Sequence, residues 1–166
     1  MNRRSALVVA LSLAALPVIA LPHAAHAQQF GSQVAFLEGG QILISEPALQ
    51  GRPAAIRIYE RDGDAWEETG QILAPAHEGG DFFGRFIAMD EESFIVGGTL
   101  FEDSRGAVWV YDRSGSELEL RQVIQPEDTT EDDSFGRFGV LYEDLLFVSA
   151  LGFEDEGAVW VFERDD

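Results

Sequence analysis

The sequence has no cysteine and no lysine: its 11 basic side chains are all arginine, set against 30 carboxylates. Without cysteine there are no disulfides, no thiolate zinc sites and no cysteine nucleophile. Without lysine there is no Schiff-base chemistry. Histidine is nearly absent too, at three residues. The net charge of −19 repels phosphate backbones and anionic lipid headgroups, so nucleic acid and membrane surfaces are poor partners. An acidic, lysine-free composition fits two readings. One is a surface adapted to high salt, where carboxylate repulsion is screened. The other is an arginine-favouring genome combined with an acidic exported protein.

What the sequence does contain is enough apolar material for a core, 46% hydrophobic and 11% aromatic, which argues against disorder despite the charge. At 166 residues it holds one small domain or a few repeats. The first 27 residues read as a cleaved signal peptide. Arg3 and Arg4 form a basic start, Ala6 to Leu21 an apolar run, and Pro22-His23-Ala24-Ala25-His26-Ala27 a small-residue cleavage site after Ala27. The apolar run is short for a membrane span and is interrupted by Pro17, so no membrane insertion is expected. Arg3-Arg4-Ser5-Ala6-Leu7 loosely resembles a twin-arginine signal, but general secretion explains it as well. The expected location is therefore secreted, periplasmic or at the cell surface. Cleavage removes two arginines and no acid, so the charge falls from −19 to −21 and His77 is the one histidine left.

The remainder repeats itself. Phe30-Gly31, Phe83-Gly84 and Phe135-Gly136 recur at spacings of 53 and 52. Phe83-Gly84-Arg85-Phe86 matches Phe135-Gly136-Arg137-Phe138, and Phe101-Glu102-Asp103 matches Phe153-Glu154-Asp155. Gly106-Ala107-Val108-Trp109-Val110 matches Gly157-Ala158-Val159-Trp160-Val161. A period near 52 belongs to repeat architectures such as propellers. Each copy reads as short strands rich in β-branched and aromatic residues, separated by turn residues, with almost no helix. In the second copy the strands are expected at residues 85–89, 94–98, 108–111 and 117–124. The expected fold class is all-β, with four-stranded antiparallel sheets as propeller blades.

On these residues the chain resembles the FG-GAP repeat, which builds the propeller of integrin α subunits and of many secreted bacterial proteins. The resemblance covers residues 30–164 and divides the chain into repeats at 28–82, 83–134 and 135–166, the third without its last strand. Ser45-Glu46-Pro47, Gly97-Gly98-Thr99 and Ser149-Ala150-Leu151 stand where the family has Gly-Ala-Pro. Small residues there suit close blade packing. Phe30, Phe83, Phe135, Trp109 and Trp160 are expected to fill gaps between sheets, and Gly31, Gly84 and Gly136 to permit tight backbone geometry. Three blades are fewer than a closed ring needs. Either the sequence continues in a longer protein, the preferred explanation, or chains assemble as a homo-oligomer, or the arc stands alone with an apolar face open at each end, the least favourable physically.

The resemblance implies a scaffold binding an extracellular protein or glycan, without catalysis in this stretch. The competing expectation is a propeller module of a longer secreted hydrolase. Family members hold calcium in a loop between their first two strands, but residues 37–40, 90–92 and 142–144 lack the alternating carboxylates this needs. Calcium is left with weak candidates, Asp128, Asp132, Asp133, Glu154 and Asp155, for which solvated acidic turns are the simpler reading. A lone His77 makes a poor triad member. Arg85 and Arg137 are read as bridging the nearby acids Asp81 and Asp133, with an anionic ligand group as the alternative.

Overall fold

A computed structural model describes residues 30–37, 40–46, 53–75, 82–114 and 117–165. The signal segment, His77 and Asp81 lie outside the described residues. Eleven strands fall into three antiparallel sheets. Sheet 1 holds β1 (Val34–Phe36), β2 (Ile42–Glu46), β3 (Ala55–Asp62) and β4 (Ala65–Leu73). Sheet 2 holds β5 (Phe86–Met89), β6 (Ser93–Gly98), β7 (Ala107–Ser114) and β8 (Glu117–Ile124). Sheet 3 holds β9 (Phe135–Tyr142), β10 (Leu145–Ala150) and β11 (Ala158–Glu163). Every sheet is a meander in chain order, the arrangement favoured when short strands are joined by tight turns. Among the described residues, no helix is long and apolar enough to cross a membrane.

The strands alternate in facing, and this produces two cores. Between sheets 1 and 2 lie Leu43, Ile56, Phe83, Phe94, Val96, Trp109 and Tyr111. Between sheets 2 and 3 lie Phe86, Ile95, Val108, Val110, Phe135, Leu146 and Val148. The repeat in sequence thus returns as a repeat in packing. Phe94, Val96 and Trp109 on sheet 2 correspond to Leu146, Val148 and Trp160 on sheet 3, each facing the preceding sheet. The aromatic contacts repeat as well. Trp109 meets Phe83 at 5.1 Å and Phe101 at 5.4 Å, both edge to face. Trp160 meets Phe135 at 5.6 Å and Phe153 at 4.7 Å in the same geometry. Edge-to-face contact sets positive ring edge against negative ring face, so these triads fix orientation as well as area.

Glycine is required where sheets 2 and 3 are sewn together. Gly106 and Phe135 form a parallel bridge, with Phe135 N donating to Arg105 O at 2.9 Å. A Cβ on Gly106 would stand 1.9 Å from Phe135 O, closer than any side chain allows. Gly139 is crowded by a side chain instead, since a Cβ there would meet Phe86 Cζ at 2.4 Å. Phe86 therefore lies against the bare backbone of β9.

One expectation needs correction. Phe30 does not fill a gap between the described sheets: it is exposed. The acidic segments after Phe101 and Phe153 are single tight turns with positive φ at Glu102, Asp103 and Ser104 and at Glu154 and Asp155, closed by Gly106 N and Gly157 N donating back to Phe101 O and Phe153 O.

Candidate functional site

The seam between sheets 2 and 3 gathers charge at both ends, because their first strands, β5 and β9, run side by side. Arg85 and Asp90 are five residue steps apart, an extended span of about 16 Å. One end of the seam is acidic and the other basic.

At the acidic end a cleft of about 320 Å³ is lined by Met89, Asp90, Glu91, Glu92, Leu141, Glu143, Asp144 and Arg164. Arg164 follows β11 and reaches across to sheet 2. Its guanidinium lies 2.8 Å from Asp90 Oδ2, 3.1 Å from Glu92 Oε2 and 3.4 Å from Asp144 Oδ1. Burial alone would push the Asp90 carboxyl up. The backbone N–H groups of Glu92 and Ser93, with Arg164, outweigh burial and hold it below its ordinary value. Asp90 in turn is the main cause that raises Arg164. The turns 90–92 and 142–144 thus share one guanidinium, which pairs with Asp90, Glu92 and Asp144.

The basic end holds Arg85 and Arg137, one residue beyond Gly84 and Gly136. The expected bridge from Arg137 to Asp133 is not made. Asp133 is buried and accepts hydrogen bonds from the backbone N–H and the hydroxyl of Thr130, so its carboxylate is already used to close the turn. Asp81, the expected partner of Arg85, lies outside the described residues. Burial and the neighbouring Arg137 charge lower the Arg85 guanidinium from its ordinary value. Arg137 Nε is buried and has no acceptor among the described residues, and its guanidinium carbon lies 5.8 Å from the Phe138 ring centre.

The calcium candidates are dispersed in role. Asp128, Asp132, Glu154 and Asp155 are exposed, and Asp133 is engaged as above. No group of three or more His, Cys, Asp or Glu is placed to hold a metal ion among the described residues. The sequence reading missed the Arg164 cluster. The signal available was the recurrence of Arg61, Arg113 and Arg164 at the end of each third strand, opposite turns rich in Asp and Glu.

The outer faces of the stack differ. On sheet 1 the position matching Trp109 is Arg57, whose guanidinium meets Glu46 at 2.7 Å, Glu68 at 3.0 Å and Gln71 at 2.7 Å. On sheet 3 the outer face is bare and apolar. Phe138, Val159 and Val161 are 56%, 62% and 55% exposed, whereas their counterparts Phe86, Val108 and Val110 on sheet 2 are 4%, 0% and 9% exposed. Searches against protein-family models and curated proteins return no match for this chain.

Proposed function

We propose that the chain is an exported arc of FG-GAP-type propeller blades that serves as a binding scaffold for an extracellular protein or glycan. The observation that carries this reading is the position-by-position repetition of the inter-sheet packing, with the same aromatic triad on sheets 2 and 3. Sheets stacked in this way form a rigid support, and rigid supports present loops and strand ends for recognition. Function follows from this by analogy with the family it resembles. The bare outer face of sheet 3 receives a further blade of the same kind, because its exposed residues occupy the positions that sheet 2 buries. On sheet 1 the corresponding face is polar at its centre instead, organised by the Arg57 network.

That same face favours a second reading, a propeller module within a longer secreted hydrolase, with the catalytic part carried elsewhere. Two assays separate the readings. The purified chain is screened on a glycan array and against panels of ester, glycoside and phosphoester substrates. Saturable glycan binding without turnover supports the scaffold. Turnover by this chain, abolished by a single carboxylate substitution, overturns it.

A further inference from the structure

We propose that the further blade received by the outer face of sheet 3 is sheet 1 of a second copy, so that two copies close head to tail into one ring of six sheets. This deepens the reading above and rests on its assignment of the sheets as blades. The receiving end is the outer face of sheet 3, which matches the face of sheet 1 that sheet 2 covers. Ser149 takes the place of Ser45. Its Oγ accepts from Phe138 N at 3.1 Å and donates to Phe138 O at 3.4 Å, and Ser45 Oγ makes the same two bonds with Gln33 N at 2.8 Å and Gln33 O at 3.4 Å. Ser45 is fully buried because the backbone of the next repeat lies on it: a Cβ on Gly84 would stand 2.9 Å from Ser45 Cβ. Val140, Tyr142, Val159 and Val161 match Ala35, Leu37, Ile56 and Ile58, which pack in the core between sheets 1 and 2. All four on sheet 3 are more than half exposed. Gly157 repeats Gly106, with φ of 81° against 85°. A Cβ on Gly106 would strike the entering Phe135, whereas one on Gly157 would meet only Leu151 and Ala150 of its own repeat.

The entering end is the opposite face of sheet 1. Phe30-Gly31 matches Phe83-Gly84 and Phe135-Gly136, the pairs that enter the two seams. Phe83 and Phe135 are fully buried, and a Cβ on Gly84 or Gly136 would crowd the sheet before it. Phe30 is exposed, and Gly31 keeps the same positive φ with nothing within 4 Å of a Cβ. Phe36 matches Met89 and Leu141, each packed into the core shared with the preceding sheet. Phe36 and Val34 are instead more than half exposed. At the centre of this face the Arg57 charge is already met by Glu46 and Glu68, so covering it leaves no guanidinium unpaired. An entering face and a receiving face on one chain make a head-to-tail contact, which ends in a ring where the rotation closes. Two copies supply six sheets, inside the range of about four to eight over which propellers close, and three copies would exceed it.

The test is the mass of the purified chain by light scattering over a wide range of concentration, at low and at molar salt, because salt screens the repulsion between two acidic chains. A dimer that grows no further is expected. Val34→Lys with Phe36→Lys blocks the entering end, and Val159→Lys with Val161→Lys blocks the receiving end. Each pair alone should be monomeric and keep the circular dichroism of the parent. An equal mixture of the two should recover a species of dimer mass, because one intact seam remains. Where a pair disturbs the fold, Phe36→Gln or Val161→Gln takes its place. The ring is overturned by a parent that stays monomeric throughout, which leaves the face to a repeat or partner on another chain. A mass that climbs past the dimer overturns it, as does a mixture that stays monomeric. So does an entering-end variant that dimerises like the parent, since two sheet 3 faces would then be meeting each other. A monomeric parent that still binds on the glycan array removes the ring and leaves the scaffold reading standing. A dimer that binds no ligand and turns over a substrate does the reverse.

Discussion

At the scale of single residues, backbone proximity is a sharper constraint than backbone dihedral angle. Gly31 and Gly106 both have φ near +85°, at 83° and 85°, yet a Cβ on Gly31 would meet nothing within 4 Å. Gly31→Ala is expected to cost about 1–2 kcal/mol of strain, and Gly106→Ala at least about twice that, because it also forces β9 away from sheet 2. Urea unfolding of the two variants checks the order; equal costs would contradict the account of the seam. Tyr111 provides the opposite case. Its hydroxyl is buried without a partner among the described residues, and burial pushes its pKa up to about 12. Tyr111→Phe is expected to be neutral or stabilising by up to about 1 kcal/mol, since it deletes an unmade hydrogen bond and keeps the ring against Phe94. The Phe-Gly pairs and the tryptophans were legible from recurrence alone. The missing bridge from Arg137 to Asp133 was not, because spacing along the chain does not reveal which neighbouring acid is already occupied.

At the scale of elements, the strand pattern was readable wherever alternation and turn residues agreed. Glu117–Ile124 lies where expected, while the third strand of the second copy runs from Ala107 to Ser114, beyond the expected 108–111. It extends because β8 pairs with it down to Ser114. The Arg164 clamp joins two elements and carries a pH prediction. Asp90 sits below its ordinary 3.8 in the folded chain. Its contribution is therefore complete above that value and is lost as pH falls through the lower folded one. Arg164→Gln should cost about 1 kcal/mol at neutral pH, because the network is partly buried, and should flatten the loss of stability on acidification below pH 3.8. Chemical denaturation between neutral and acidic pH measures both; an unchanged acid limb would remove Asp90 from the clamp.

At the scale of the whole molecule, charge and the open face of sheet 3 govern behaviour. Thirty carboxylates against 11 arginines repel one another in the compact state. If the acidic surface is an adaptation to salt, the melting temperature should climb by many degrees from low to molar salt, and a flat response in calorimetry would end that reading. The outer face of sheet 3 should promote self-association of the isolated chain. Val159→Lys together with Val161→Lys should abolish that association while leaving the seam intact, because both side chains are more than half exposed. Light scattering reads the mass, and a parent chain that stays monomeric at high concentration would contradict the prediction.

The sequence by itself determined the all-β character, the repeat and the strand-forming segments. These follow from local alternation, turn chemistry and recurrence at a fixed spacing, all of which are properties of neighbours along the chain. Only the tertiary structure decided which faces are covered, where a glycine is indispensable and which charges go unpaired. Trp109 and Arg57 occupy matching positions, and one is buried in a core while the other organises a polar end face. Arg137 and Arg164 carry the same guanidinium, and one leaves its Nε without an acceptor among the described residues while the other is met by three carboxylates. The difference is physical: desolvation and charge pairing depend on what stands across a sheet interface, and that neighbour comes from a different repeat.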